Sequence, residues 1–326
     1  MQMFTNANYD FIRWRWHAIA LSLVVILAGL VVIATRGMPL GIDFSGGTLV
    51  IVKFSEPISE DAVRTAIAGL PGEKVVQQYG SSGNEVMIRL PQTTEAEQGF
   101  TLEQGARDIQ AALDQAGLPK YEIIGTETVG PTVGADLQRK GIYATLLSIL
   151  GITAYIAVRF RFSFALGAIA ATFHDLFVVF AFLAFFGYEL SLNVVAAVLT
   201  ITGYSVNDTI VIFDRVRENS RLLRREPLEK VVNLSVNQTL GRTVITAGTT
   251  FLSVLALYLF GGEVLHGFAF AMLVGIVSGT YSTVFIASSL AIILSGKNAP
   301  AGRAAVPVEE AVAERPRKGG RNVRVS

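Results

Sequence analysis

The stretch Leu199 to Asn219, LTITGYSVNDTIVIFDRVREN, is apolar enough over most of its length to cross a membrane, yet it carries Asn207 and Asp208. A carboxylate at the centre of a spanning helix costs roughly 2.5–3.5 kcal/mol on insertion scales, so it marks a functional site with a partner. At about 1.5 Å of helical rise per residue, Asp208 lies on the order of 9 Å inside the end marked by Asp214. The cluster Asp214, Arg215, Arg217 and Glu218 reads as the solvated end of that helix. Arg242 opens the next apolar run at the same side. A neighbouring guanidinium and the desolvation of a carboxylate act in opposite directions, so a small rearrangement can switch such a pair between loading and releasing a proton. The competing reading is a structural ion pair, with Arg242 snorkelling outward.

Two further groups invite the same question. His174 and Asp175 sit near the middle of another apolar run. They read either as a second relay or as a helix–helix hydrogen-bond site that holds the bundle together. No third ligand stands at a suitable spacing, so the sequence points to no metal site. The segment GIDFSGGT, with Gly41, Asp43, Gly46 and Gly47, is glycine-rich, but no Lys-Ser or Lys-Thr follows it. A phosphate-binding loop is therefore excluded in favour of a tight, hinge-like exit from the membrane.

The elements that must carry these residues follow from composition. Of 326 residues, 51% are hydrophobic and 16% charged, against about 25% charged in a soluble domain. That balance describes a polytopic α-helical membrane protein with some extramembrane mass. The net charge of +1 gives no sign of a nucleic-acid partner, and the absence of cysteine excludes a disulfide framework and thiolate chemistry. After a polar segment 1–15, the run Trp16 to Thr35 matches the ~20 residues that span the hydrocarbon core and exceeds the core of a secretory signal. Five more runs follow, Gly141–Val158, Phe164–Gly187, Ser191–Phe213, Thr243–Phe260 and Gly267–Leu294. Segment 214–242 is basic, and its part from Pro227 to Leu240 has the pattern of an amphipathic helix lying on the lipid surface. The tail 295–326 is basic, polar and expected to be disordered. Gly275 and Gly279 have the small-xxx-small spacing of closely packed helices.

Between the first two runs, residues 36–140 turn soluble. Strands are expected at 48–54, 75–79, 84–90 and 121–129, with helices at 59–70 and 101–118, the first capped by Ser59. The turn between the second and third strands falls on Gly80, Ser81, Ser82 and Gly83. The order βαββαβ is that of a ferredoxin-like domain. Lys and Arg concentrate at alternate connections: Arg13 and Arg15, Arg159 and Arg161, Arg215 to Lys230, and the tail. By the positive-inside rule this puts both termini in the cytoplasm of a multi-pass membrane protein, with the ferredoxin-like domain outside.

Several stretches together are recognisable: YDFIRWRW, GIDFSGGT, GYSVNDTIVIFDRVREN, LGRTVITAGTTF and GTYSTVFIASSL. From about Tyr9 to Leu294 the chain resembles the SecF subunit family of the bacterial Sec protein-export machinery, within the resistance-nodulation-division superfamily. The resemblance implies half of such a transporter in the bacterial inner membrane, completed by the six spans of SecD. It also implies work beside the SecYEG channel, with YajC as a further partner, to draw an unfolded preprotein out on the far side. The proton gradient would drive it without a bound cofactor, Na⁺ being the other candidate ion. Asp208 matches the family's proton-pathway carboxylate, Arg242 the arginine beside it, and His174–Asp175 the family pattern with an unassigned role. A lipid- or small-molecule half-transporter and a non-transporting assembly factor are the rival classes. An enzyme is disfavoured because no outward-facing nucleophile–base set is visible.

Overall fold

The structure, a computed structural model, describes residues 8–71, 74–79, 83–90, 102–296 and 301. The turn residues 80–82 and, residue 301 apart, the tail beyond 296 lie outside the described residues. Among the described residues, six helical segments are long and apolar enough to span a membrane: Ile12–Arg36, Thr132–Arg159, Phe162–Phe186, Leu192–Leu222, Leu228–Phe260 and His266–Ser295. The helices within them are α1 (Arg15–Arg36), α5 (Pro131–Arg159), α6 (Phe162–Phe186), α7 (Leu192–Leu222), α8 (Leu228–Phe260), α9 (His266–Ser282) and α10 (Ser288–Ser295). A π-helical turn, Thr283–Ala287, joins α9 to α10, the kind of local defect at which long helices bend.

The spans pack where side chains are smallest. A Cβ added at Gly275 would lie 2.4 Å from the Ile201 side chain, and one at Gly279 3.0 Å from the Ser205 Cβ. The expected small-residue seam therefore brings α9 against α7. A Cβ on Gly29 would lie 2.1 Å from that of Ala181, which fixes α1 against α6 in the same way. Without a hydrophobic gain in lipid, such close backbone approach is what holds spanning helices together.

The soluble part carries α2 (Ile42–Ser45), β1 (Gly47–Phe54), α3 (Glu60–Ala66), β2 (Val75–Tyr79), β3 (Glu85–Leu90), α4 (Leu102–Gln115) and β4 (Tyr121–Val129). Its sheet runs in the order β2-β3-β1-β4 with every pair antiparallel, which is the βαββαβ ferredoxin-like topology expected. Alternation along β1 and β3 sends Val50, Val52, Val86 and Ile88 to one face, where they meet Val63 and Ile67 near α3 and Ile109 and Leu113 of α4. Ser59 begins α3 by accepting from the Ala62 N–H at 3.3 Å, with Glu60 and Asp61 in the first turn. The other face of the sheet looks toward the outer ends of α6, α7 and α9.

Two features differ from the sequence expectation. The second spanning helix begins at Pro131, well before the apolar run at Gly141, because Pro at the first turn starts a helix and nothing interrupts it afterwards. The amphipathic segment does not lie on the lipid surface. It is the first third of α8, continuous with the fifth span, and its Leu228, Val232 and Val236 enter the bundle core. Gly241 does not break the helix, since an isolated interior glycine costs only about 1 kcal/mol. The partner of that apolar face is the N-terminal segment. Asn237 and Asn233 accept the Tyr9 and Phe11 N–H groups at 2.8 and 3.0 Å, Ile12 is fully buried, and Arg15 pairs with Glu229 at 3.0 Å.

Candidate functional site

Asp208 and Arg242 come from the facing stretches of α7 and α8, but they do not form an ion pair: no contact within 4 Å joins them. The residue after Arg242 takes that place. The Thr243 hydroxyl donates to Asp208 Oδ1 at 3.0 Å. Asp208 Oδ2 is buried and has no hydrogen-bond partner among the described residues. The Arg242 side chain is exposed and acts on the carboxylate only through space. Asn207 is exposed on the outer surface of α7. Thr209, the residue after Asp208, turns inward to share a 3.0 Å hydrogen bond with Thr283 of the π turn. Successive residues of one helix are about 100° apart, so this short run serves three surroundings at once.

His174 and Asp175 are brought together, and they are not alone. Asp175 is 1% exposed, and its carboxylate is the hub of a network drawn from three helices. Oδ2 accepts from Ser205 of α7 at 2.5 Å and from Ser282 of α9 at 2.8 Å. Oδ1 accepts from Ser278 of α9 at 2.6 Å and meets His174 Nδ1 at 3.1 Å. His174 Nε2 reaches Ser22 of α1 at 2.8 Å, and the Tyr281 ring stacks on the imidazole with centroids 6.1 Å apart. Tyr281 then donates to the Ala18 carbonyl of α1 at 2.7 Å. A buried carboxylate with this many donors has both oxygens satisfied inside the chain.

The glycine-rich exit is packed rather than open. Gly46 and Gly47 have φ of 69° and 128°, which only glycine adopts without strain. They turn the chain from α2 into β1. Gly41, with an ordinary φ, lies against the connection between α6 and α7: its N–H donates to the Leu190 carbonyl at 2.8 Å, and Leu190 N–H donates to Pro39 O at 2.8 Å. Asp43 Oδ2 accepts the Leu192 N–H at 2.8 Å and so caps the outer end of α7 beside the N-cap Ser191.

Sequence reasoning named Asp208, Asn207, Arg242, His174, Asp175 and the exit residues, but missed Thr243, Ser205, Ser278, Ser282, Ser22 and Tyr281. A signal did exist for some of them. Ser278 and Ser282 stand four residues apart in an apolar helix, the spacing that aligns two hydroxyls on one face. Nothing in one dimension aims them at Asp175. Among the described residues, no three His, Asp or Glu side chains gather as a metal ion would require.

Family models match two parts of the chain. The C-terminal model of the protein export membrane proteins SecD/SecF covers residues 108–297, and the SecD/SecF GG motif covers 31–58. The chain belongs to the SecD/SecF family. Among relatives, the protein translocase subunit SecF of Rhodothermus marinus is 42% identical over 312 residues, 94% of this chain and 99% of that protein. That of Escherichia coli O157:H7 is 39% identical over 291 residues, 89% of this chain and 88% of its own. The crystal structure of SecDF, a translocon-associated membrane protein from Thermus thermophilus, matches with a TM-score of 0.80 and 34% identity, over 90% of this chain and 40% of that longer one. The SecDF structure in its super-membrane-facing form matches with a lower TM-score of 0.66 at the same coverage. The relatives are SecF subunits over nearly their whole length, which favours the SecF assignment over a lipid- or small-molecule half-transporter. The six spans fit a multi-pass inner-membrane protein.

Proposed function

We propose that this protein is the SecF-type subunit of an accessory complex of the bacterial Sec translocase, not an enzyme. It works with a SecD-type partner and uses the proton gradient to help complete preprotein export, with both termini cytoplasmic and the ferredoxin-like domain outside. The observation that carries the reading is Asp208, whose Oδ2 is buried without a partner among the described residues while its neighbours Asn207 and Arg242 face outward. A carboxylate left half-satisfied in a span is what an ion path through a two-part bundle needs.

The face that contains it supports the same reading. Thr200, Gly203 and Asn207 of α7 and Thr246, Thr249 and Ser253 of α8 are exposed in a row beside Arg242. Such small and polar faces suit another helix better than lipid, and a SecD-type bundle is the partner that the SecDF likeness supplies. SecYEG, YajC and the unfolded preprotein on the outer side would complete the assembly. Displacing one charge across 100 mV is worth about 2.3 kcal/mol, enough to shift a two-state equilibrium roughly 40- to 50-fold.

The test is gradient-dependent export in cells or inverted membrane vesicles carrying Asp208→Asn. The expected result is loss of that export, with normal membrane insertion and normal co-purification with the SecD-type partner. Export at the wild-type rate would remove the proposal. Imposing a Na⁺ gradient in place of the proton gradient identifies the ion, with export under the proton gradient alone as the expected outcome.

A further inference from the structure

The ferredoxin-like domain is joined to the bundle covalently through α1 and α5, but a third attachment exists that no chain connection requires. It is centred on Glu189, in the short connection between α6 and α7. Arg89 of β3 reaches down from the sheet and pairs with Glu189 at 3.0 Å, with both side chains largely buried at 10% and 14% exposure. The same guanidinium donates to the Leu40 carbonyl of the exit segment. Leu40 and Leu190 are bridged as in a parallel ladder, and Asp43 caps α7 at Leu192. The connection held this way joins the helix that carries His174 and Asp175 to the helix that carries Asp208.

Beside this attachment lies a cleft of about 710 Å³ between the open face of the sheet and the outer ends of the spans. Gln77, Tyr79 and Met87 line one wall, and Tyr188, Asn193 and His266 the other. The hinge-like freedom expected of the exit is therefore confined: the domain can leave the bundle only by breaking contacts at Glu189. The pair is not a permanent weld. Burial pushes the Glu189 carboxyl above the usual carboxylate range, against the pull of Arg89 and with the help of Asp43, and Glu189 Oε1 is buried without a hydrogen-bond partner among the described residues. Holding the charge there has a desolvation cost that the ion pair only partly offsets.

We propose that Arg89 and Glu189, supported by Asp43, are positioning residues that latch the external domain to the outer end of α7, so that displacement of α7 at its ion site is transmitted to the domain through this latch. The inference rests on the reading of Asp208 given above. Without the latch, the two covalent connections still tether the domain but no longer fix its orientation. Residue 189 then becomes the point where events inside the membrane reach the sheet, ahead of the glycine-rich exit.

The protein contains no cysteine, so two introduced cysteines are the only labelling sites in this chain, and it is paired with a cysteine-free form of the partner. Spin labels at Gln77→Cys and Asn193→Cys, on opposite walls of the cleft, report its width in the full-length chain assembled with its SecD-type partner in membranes. The latched protein is expected to give one narrow distance distribution. Arg89→Ala and Glu189→Gln are each expected to broaden it and lengthen its mean by roughly 5 Å, the scale of hinge and one-turn displacements. The exchange Arg89→Glu with Glu189→Arg restores the pair in reverse and is expected to recover the narrow distribution at least in part. In the same membranes, the single variants are expected to lose most gradient-dependent export while still co-purifying with the partner. An unchanged distance in both single variants overturns the latch, whatever Asp208→Asn does. A changed distance with undiminished export overturns its role in transmission. Normal export by Asp208→Asn would defeat the ion-site reading instead, and the label distances would still decide whether the latch exists. If Arg89→Ala fails to accumulate, Glu189→Gln and the exchanged pair give the same decision.

Discussion

Asp175 and Asp208 both lie well inside the apolar stretches of their spans, on adjacent helices, and they are treated in opposite ways. Asp175 is almost fully buried and receives three serine hydroxyls and an imidazole, all from its own chain. Asp208 is half-buried, receives one threonine hydroxyl, and keeps a second oxygen without a partner among the described residues. The difference lies in position around the bundle. Asp175 points into the packed seam of α6, α7 and α9, where α1 also reaches through Ser22. Asp208 sits beside the open polar face of α7 and α8. A charge compensated on every side stabilises an arrangement of helices, whereas a charge compensated on one side is available to something that arrives from the other. Arg242 belongs with the second case, since its side chain is exposed on that same face.

The comparison can be broken most decisively at Asp208. Asp208→Asn keeps the shape and one acceptor, so it is expected to abolish gradient-driven export. Its effect on stability should stay below about 1 kcal/mol, since only one hydrogen bond is altered. Thermal unfolding of the purified complex checks this, and a large fall in midpoint would place Asp208 with Asp175 as a structural group. Asp175→Ala is expected to show the reverse balance. At about 0.6 kcal/mol for each intramembrane hydrogen bond, losing the four contacts to its carboxylate costs roughly 2–3 kcal/mol, with export falling only in proportion to the folded complex. Export lost from a complex of unchanged stability would instead make Asp175 a working relay.

Smaller substitutions sharpen the contrast. Thr243→Val removes the one donor to Asp208 and is expected to lower export severalfold without abolishing it, and Thr243→Ser should restore it. The same measurement on Arg242→Lys asks whether charge alone suffices on the open face, and partial activity is the expected outcome because the two groups do not touch. Ser278→Ala, at the other carboxylate, should cost only about 0.6–1 kcal/mol and leave export intact.

The smallest effect lies outside the membrane, where Tyr121 donates to Asp114 at 2.5 Å. Burial first, then that hydrogen bond and the Asp114 charge, push the Tyr121 hydroxyl up to about 12. Its value when unfolded is about 10, so this group's contribution is complete below about pH 10 and disappears as pH rises through about 12. Tyr121→Phe is expected to flatten the alkaline limb of the unfolding midpoint and leave the neutral region nearly unchanged.

Much of this architecture was legible in one dimension, for a physical reason. Spanning helices and ferredoxin-like strands are fixed by hydropathy and periodicity, both local properties, so six runs and a βαββαβ order could be read directly. Asp208 was conspicuous because a charge in an apolar run stands out without knowledge of its neighbours. The continuity of α8 was not legible, because a basic amphipathic stretch looks the same whether it meets lipid or an N-terminal segment more than two hundred residues away in the chain. Tyr9 and Asn237 are 228 positions apart.

The sequence by itself determined which residues must be explained: the lone Asp208, the His174–Asp175 pair, Arg242, and a glycine-rich exit that only glycine can turn. Tertiary structure alone decided their partners. It set Thr243 rather than Arg242 on Asp208, surrounded Asp175 with hydroxyls from α7 and α9, and turned the exit into a packed attachment at Glu189. A side chain's direction depends on the rotation of its helix against its neighbours. One residue's step, about 100°, separates the arginine facing outward from the threonine that holds the carboxylate.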